Sequence, residues 1–288
     1  MVRMNQKAFA IFVGAIMVIS AFAGFVLRGS DQNSTIVVSN SNSLQTFGVQ
    51  GNLVDRNFEG LQDVLEMSPE STMMAYWINL TPSQNLTDAA KAAFPESLGL
   101  TYGSQIYSTK IEKLAYVYFN KTSLEFHWIQ PFKVGYNGLV IPYEGYMMIP
   151  AGSEYTMVMG KPVLFGTQDA AKQVIDVITG GLSAGNFTLI DDHQADLQVE
   201  ALGSGGASMP LSGGYKEFYL GVSVSKDQAN GFDLYARYLQ PSGSVNQRVL
   251  DLAGKNSLNY ATKGTDSELS GFVAPEKLTN VLVGLLKP

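Results

Sequence analysis

Five stretches of the chain have the apolar spacing or composition that is typical of helices. The clearest is "TQDAAKQVIDVITGG", in which Thr167 caps the first turn, Asp169 lies within that turn and Gly180 ends the helix. The others are the segment from Phe58 to Leu65, "DAAKAAF" after a cap at Thr87, Ser244 to Ala253, and a last helix that begins at Pro275.

Strict alternation of apolar and polar residues predicts strands between these helices. In "SLEFHWIQPF", Leu124, Phe126 and Trp128 alternate with Glu125 and His127. This period of two is typical of a strand with one face in the core and one face in water. We therefore expect His127 to be a solvated residue or a simple hydrogen-bond partner on the polar face.

Two antiparallel hairpins are predicted from short breaks between alternating runs. The first joins "EKLAYVYFN" to the strand just described through Asn120-Lys121-Thr122, and the second turns at Asn230-Gly231. The second hairpin alternates at Phe218, Leu220, Val222 and Val224 before its turn, and at Phe232, Leu234, Ala236 and Tyr238 after it.

A Gly- and Ser-rich stretch at 203–214 divides the folded part of the chain. The pattern before it predicts an α+β lobe over residues 57–202. The pattern after it predicts a smaller ββαβα lobe over residues 215–288. Residues 29–56 are rich in Ser, Asn and Gln, which is typical of a flexible tether. The predicted fold is α+β, with antiparallel sheets and helices packed on one face. The length and pattern are compatible with one large domain or with two lobes.

A long apolar run near the start of the chain predicts a membrane anchor. Residues 8–27, "AFAIFVGAIMVISAFAGFVL", carry no charge, and as a helix they span roughly 30 Å, the thickness of a bilayer core. Arg3 and Lys7 precede the run and Arg28 follows it. The positive-inside bias therefore predicts a single-pass signal-anchor helix within residues 1–28 and an extracytoplasmic C-terminal domain.

The same run also fits a cleaved signal peptide. Ala21-Phe22-Ala23 has the small-x-small form that precedes a cleavage site, so processing after Ala23 is the alternative to an anchor. The run continues to Leu27, which favours the anchor. Both alternatives export everything after Arg28.

Composition agrees with export and excludes several classes of site. The chain has no cysteine, which excludes disulfides, thiolate metal sites and cysteine nucleophiles. A net charge of −6, with 19 Lys and Arg residues that form no run, provides no surface for nucleic acid. Five N-x-[ST] sequons follow the apolar run and are candidates for glycosylation: Asn33, Asn79, Asn85, Asn120 and Asn186.

The segment "GLSAG" matches the G-x-S-x-G pattern of serine hydrolases around Ser183. In a hydrolase elbow a strand enters the serine turn and a helix leaves it. Here a predicted helix enters and the extended segment "NFTLI" leaves, which is typical of a helix C-cap and loop. We therefore predict no catalytic role for Ser183.

One cluster and one aromatic region are the remaining candidate sites. The weak metal candidates are Asp191, Asp192, His193 and Asp196, whose spacing matches no calcium loop or zinc site, so a polar turn explains them as well. The aromatic residues that could form a binding face for glycans or a protein partner, or fill a core, are Tyr116, Tyr118, Tyr136, Tyr143, Tyr146, Tyr155, Trp77 and Trp128. No cofactor site is predicted.

Two short turns and the anchor resemble parts of known exported proteins. The segments "MSPESTMMAYWINL" and "KPVLFGTQDAAKQVIDVITGG" contain the matching turns Pro69 to Thr72 and Gly166 to Ala170. Together with "KAFAIFVGAIMVISAFAGFVLRG", they are similar to uncharacterised, membrane-anchored surface proteins of methanogenic archaea. The resemblance implies a location at the cell surface and a fold class, and it implies no activity.

Three functional hypotheses follow from these patterns. The first is a membrane-anchored extracytoplasmic protein with a non-catalytic role, either binding a surface partner or contributing to the cell envelope. The second is a single-span accessory subunit of an integral membrane complex, since Gly14 and Gly24 would permit close helix packing. The third is a hydrolase that uses carboxylates or a bound metal.

Overall fold

A computed structural model of the chain describes residues 34–37, 51–136, 140–189, 195–227 and 231–287. Within these ranges lie six α-helices: α1 (Leu61–Glu66), α2 (Gln84–Ala93), α3 (Leu98–Ile106), α4 (Gln168–Ile178), α5 (Gly243–Asn256) and α6 (Pro275–Leu286). The strands are β1 (Ser34–Val37), β2 (Val54–Asp55), β3 (Thr72–Asn79), β4 (Lys110–Phe119), β5 (Thr122–Gln130), β6 (Lys133–Tyr136), β7 (Ile141–Tyr143), β8 (Tyr146–Ala151), β9 (Tyr155–Val158), β10 (Gly160–Lys161), β11 (Val163–Gly166), β12 (Leu197–Leu202), β13 (Glu217–Val224), β14 (Phe232–Leu239), β15 (Asn259–Lys263) and β16 (Asp266–Val273).

Twelve of these strands form one antiparallel sheet in the order β15-β16-β14-β13-β12-β3-β4-β5-β11-β9-β8-β7. Strand β12 pairs with β3 on one side and β13 on the other. The sheet therefore continues across the predicted boundary between lobes. The predicted linker forms two short 3-10 segments, Gly203–Ser208 and Pro210–Gly213. The mixed α/β class with antiparallel strands is confirmed.

The prediction that helices cover one face of the sheet is wrong. Met74, Tyr76 and Ile78 of β3 pack in a core with helices α2, α5 and α6. Ala75 and Trp77, which alternate with them, pack in a second core with α1 and α4. Both faces of the central strands are therefore buried against helices, because successive side chains of a strand point to opposite faces.

Part of the predicted tether takes part in pairing. Strand β1 pairs antiparallel with β6, and β2 pairs in parallel with β10. Val54 is buried in the second core. The fold therefore begins several residues before Phe58.

Local sequence signals set several helix ends. Thr167 caps α4, where its hydroxyl accepts a hydrogen bond from the amide of Ala170 at 3.3 Å, and Pro275 opens α6, both as predicted. The predicted cap at Thr87 is wrong, because α2 begins earlier and is capped by Ser83. Helix α3, capped by Ser97, has no counterpart among the predicted elements.

None of the helices in the described ranges is long and apolar enough to cross a membrane. The predicted anchor at residues 8–27 lies outside those ranges.

Candidate functional site

An aromatic wall lies where β3 and β4 meet the end of α2. The rings of Tyr76 and Phe94 stack with centroids 4.0 Å apart, and Tyr76 stacks on Tyr116 at 5.4 Å. Tyr76 and Phe94 are buried, whereas Tyr116 and its neighbour Tyr118 are only partly buried. The partly buried rings therefore present an apolar surface that is fixed from behind by stacked rings.

Two cavities adjoin along this wall and share Tyr116 and Glu96. The first has a volume of about 380 Å³ and the second about 300 Å³, which is the lower end of the range for small-molecule sites. We call them together the Tyr116 groove. The first cavity is lined by Met74, Ala93, Phe94, Pro95, Glu96, Tyr116, Tyr118, Ser208, Met209, Pro210, Leu286 and Lys287. The second is lined by Glu96, Leu98, Tyr116, Lys121, Thr122, Ser123, Leu124, Glu125, Tyr155, Phe165, Gly166 and Thr167.

The loop between α2 and α3 places Glu96 between the cavities. Pro95 cannot continue a helix, so α2 ends at Ala93 and α3 starts again after Ser97. Glu96 is exposed as a whole residue at the rim, but surrounding atoms partly shield its carboxyl group from water. Partial burial of its carboxyl group raises its pKa, the nearby Glu125 charge raises it further, and Lys287 opposes the shift.

Tyr116 has a hydroxyl group that stays protonated at physiological pH. Burial is the largest cause that raises its pKa to about 12, and the charges of Glu96 and Glu125 add to the shift. The hydroxyl can therefore donate a hydrogen bond in the groove and is a poor nucleophile or base there.

A buried polar cluster closes the floor of the second cavity. The Glu125 carboxylate accepts hydrogen bonds from the amides of Leu98 and Gly99, at 2.8 and 2.7 Å, at the start of α3. It also bonds His127 Nε2 at 2.7 Å, and His127 Nδ1 bonds the Tyr107 hydroxyl at 2.8 Å. We call these five residues the Glu125 cluster.

The Glu125 carboxyl group is held in its ionised form. Burial alone would raise its pKa, but hydrogen bonds and charge from His127, with bonds from Ser97 and Gly99, outweigh it and lower the pKa. The start of a helix also favours a negative charge. The cluster therefore fixes α3, and with it one wall of the groove.

The predicted wet face of β5 is wrong, whereas the alternative that His127 is a hydrogen-bond partner is confirmed. His127 is completely buried, and Glu125 is nearly so, because α3 covers this face of β5. Alternation correctly placed Leu124 and Phe126 on the opposite, core-facing side. It could not reveal that a second layer covers the polar side.

A pair of buried carboxyl groups lies on β12 and β13. The amide of Leu189 is shared between Glu200 Oε1 at 3.1 Å and Glu217 Oε1 at 2.7 Å, so the two groups lie side by side. Thr188 donates to Glu217 from its amide at 2.5 Å and from its hydroxyl at 2.7 Å. We call Glu200 and Glu217 the acid pair.

Glu200 keeps its proton at neutral pH. Burial is the largest cause that raises its pKa to about 10, and hydrogen bonding to Glu217 and that group's charge add to it. Glu200 Oε2 receives no hydrogen bond from the described residues. Both groups are buried and share one amide donor, whereas the two carboxyl groups of a glycosidase flank the bond of an accessible substrate.

The sequence contains a local signal for the strand that carries Glu200. Leu197, Val199 and Ala201 alternate with Gln198 and Glu200, which is the period of a strand, and β12 was not predicted. Glu217 directly precedes the predicted alternation of β13. Thr188 and Leu189 cover both glutamates. Strand periodicity does not reveal this contact with a distant segment.

Ser183 is exposed in the loop that follows α4. It forms an isolated antiparallel bridge with Pro69, and the amide of Ala184 donates to the carbonyl of Ser68 at 2.9 Å. The chain thus enters this loop from a helix, as the sequence order predicted. These backbone bonds hold the loop against the turn before β3.

Three of the four metal candidates, Asp191, Asp192 and His193, lie outside the described residues. The fourth, Asp196, accepts a hydrogen bond from the amide of Val224 at 2.9 Å. Among the described residues there is no group of three or more potential metal ligands. The metal hypothesis stays a prediction.

The aromatic candidates do not share one face. Tyr116, Tyr118 and Tyr155 line the Tyr116 groove. Trp77 is buried in the second core, and Tyr143 donates to Asp176 at 2.7 Å. Trp128 and Tyr146 pack at the edge of the second core, and the Tyr136 side chain lies outside the described residues.

Three of the five sequon asparagines are exposed: Asn85, Asn120 and Asn186. Asn79 is partly buried, and its side chain accepts hydrogen bonds from the amide and hydroxyl of Thr81. Asn33 lies outside the described residues.

Comparison with known proteins gives one partial family match. The sequence model of an archaeal-named family, AF_2048_N, matches residues 57–179. This family model is described as a family N-terminal domain. No curated protein matches the sequence. Two solved structures of TP0453 are similar over most of the chain. Crystal form III is 7% identical and covers 77% of this chain and 98% of its own. Crystal form I is 10% identical and covers 76% of this chain and 96% of its own. Both TM-scores are 0.46, too low to support any argument.

Proposed function

We propose that the protein is a non-catalytic, membrane-anchored binding protein whose domain lies on the outer side of the membrane. The observation that carries the proposal is the Tyr116 groove, in which two adjoining cavities share a fixed aromatic wall. A concave, largely apolar site with a few polar groups is the usual form of a small-molecule site.

The chemistry of the groove supports binding rather than catalysis. Tyr116 stays protonated, and the Glu125 carboxylate already accepts hydrogen bonds from α3 and His127, with its pKa lowered. Neither is therefore ready to accept a proton from a substrate. The side chains instead provide rings, a hydroxyl donor and the Glu96 carboxyl group.

The location is proposed from the sequence. The apolar run at 8–27, the absence of cysteine and the sequons after the run agree with a signal-anchored, glycosylated surface protein. Protease added to intact cells should cleave the chain beyond Arg28. Protection in intact cells, with cleavage after lysis, would contradict an extracytoplasmic domain.

The binding role is tested by purifying the full-length protein from its native membranes in mild detergent and recording native mass spectra. We expect a bound compound, which should disappear in Ser208→Trp, because Ser208 is exposed on the rim of the first cavity and the new ring would fill it.

The matched control is Ser204→Trp in the same 3-10 segment, since Ser204 is exposed and does not line the groove. This variant should keep the compound. Equal loss or equal retention in the two variants would contradict the assignment of the ligand to the groove.

A further inference from the structure

The first cavity of the Tyr116 groove lies at the carboxyl ends of two helices. Ala93 is the last residue of α2 and Leu286 is the last residue of α6, and both line this cavity. The last carbonyl groups of a helix carry a partial negative charge that favours cations. Glu96 adds a carboxyl group at the same place.

Lys287 lowers the pKa of Glu96 through its charge but forms no ion pair with it in the described part of the chain. Lys287 is exposed and lines the first cavity, and Lys121 is exposed at the second. Among the described residues, Glu96 forms no ion pair with either. Partial burial raises the pKa of Glu96, so a cation that enters the cavity would stabilise the ionised form of this carboxyl group.

The aromatic wall suits the same kind of ligand. Tyr116 and Tyr118 line the first cavity beside Phe94. The face of an aromatic ring attracts an ammonium group, and its apolar area also binds a hydrocarbon body. Met74, Met209 and Leu286 extend that apolar surface.

We propose that the ligand of the Tyr116 groove is a protonated amine on an apolar body, with its ammonium group at Glu96 and its body on the aromatic wall. This inference rests on the proposed function, since it names the ligand class of the same site. It draws on the carboxyl group, the two helix ends and the rings, which all surround one cavity.

The test measures binding of two probes of similar shape to the full-length protein in detergent, 2-phenylethylammonium and neutral 2-phenylethanol, by isothermal titration calorimetry. We expect the amine to bind at least about tenfold more tightly than the alcohol. Glu96→Gln should remove most of this preference and leave binding of the alcohol unchanged. The control Glu70→Gln, at an exposed glutamate outside the groove, should bind both probes as the wild type does.

The outcomes separate the inference from the proposed function. Equal binding of the two probes, or a preference that Glu96→Gln leaves intact, would overturn the ammonium inference while groove binding stands. If neither probe binds, the ammonium inference is overturned. If Ser208→Trp also leaves the native mass spectrum unchanged, the proposed function is overturned with it.

Discussion

Glu125 and Glu200 are both buried, and their carboxyl groups have opposite charge states. Glu125 meets two helix amides, an imidazole and the Ser97 hydroxyl, and these donors hold its pKa below the ordinary value. Glu200 shares one amide with Glu217 and has no other donor among the described residues. Burial raises the pKa of both groups, so the difference comes from their neighbours: His127 and the helix donors lower the pKa of Glu125, whereas Glu217 raises that of Glu200.

The ionised Glu125 borders an open cavity, whereas the acid pair is closed off from solvent. The ionised Glu125 lines the second cavity of the Tyr116 groove and contributes its charge there. The acid pair is covered by Thr188 and Leu189 and holds this connecting segment on the sheet. We therefore assign binding to the first region and a structural role to the second.

Removing the Glu125 side chain should have the largest effect. Glu125→Ala leaves one buried amide, one partly buried amide and His127 without their acceptor, so we expect a loss of about 3 to 5 kcal/mol in the free energy of unfolding. Urea denaturation of the full-length protein measures this loss. The exposed control Glu70→Ala should change stability by less than about 0.5 kcal/mol, and a similar small change for Glu125→Ala would contradict the cluster.

Crowding the same cluster should have the next largest effect. A Cβ atom at Gly99 would lie 2.5 Å from His127 Nε2 and 2.9 Å from Glu125 Oε2, so Gly99→Ala should cost about 1 to 3 kcal/mol. The control is Gly254→Ala, because Gly254 lies in α5 with open space around its Cβ position. Alanine there should stabilise the helix by about 0.5 to 1 kcal/mol in the same urea experiment.

The acid pair should make stability depend on pH in the opposite sense from Glu125. Folded Glu200 holds its proton up to about pH 10, whereas the unfolded chain releases it near the ordinary value of 4.5. The folded state binds more protons between these values, so the free energy of unfolding should fall as pH rises, by up to about 1.4 kcal/mol per pH unit.

Glu200→Gln should flatten that dependence, since an amide does not titrate in this range. Denaturation curves at several pH values from 5 to 9 measure both slopes. The lowered pKa of Glu125 instead gives stability that is lost as pH falls below about 4.5, and Glu200→Gln should leave this acid limb intact. Parallel curves for wild type and variant above pH 5 would show that Glu200 is ionised in the folded protein.

The smallest effect should come from Thr188, which covers the acid pair. Thr188→Val removes the hydroxyl that donates to Glu217 and keeps the amide bonds, so we expect a loss of about 1 to 2 kcal/mol. The control Thr101→Val changes an exposed threonine in α3. A loss at Thr188 no greater than at Thr101 would indicate that the hydroxyl bond adds nothing to stability.

The sequence predicted the elements whose signals are local. The cap at Thr167, the proline at Pro275 and the alternation in β13 and β14 each involve neighbours in the chain, and each gives the observed element. The α+β class follows from the same signals. Helix α3 was missed because "LGLTYGSQI" contains two glycines and few strong helix formers.

The candidate site was largely beyond sequence reasoning. The sequence shows Tyr116 and Tyr118 as aromatic residues, but nothing local connects them to Glu96 or Leu286, which approach through contacts between distant elements. Periodicity shows that Glu125 and His127 share one side of β5, and it does not show what covers that side. The charge state of Glu200 depends in the same way on Leu189 and Glu217.

If the Tyr116 groove binds a ligand and the acid pair does not, only the groove should be protected when ligand is present. Hydrogen–deuterium exchange of the full-length protein, with and without an organic extract of its native membranes, measures this protection. We expect slower exchange in residues 93–98, 116–123 and 208–210, with no change at 186–189 or 217–219. Slower exchange at the acid pair with none in the groove segments would show that the groove is not the binding site.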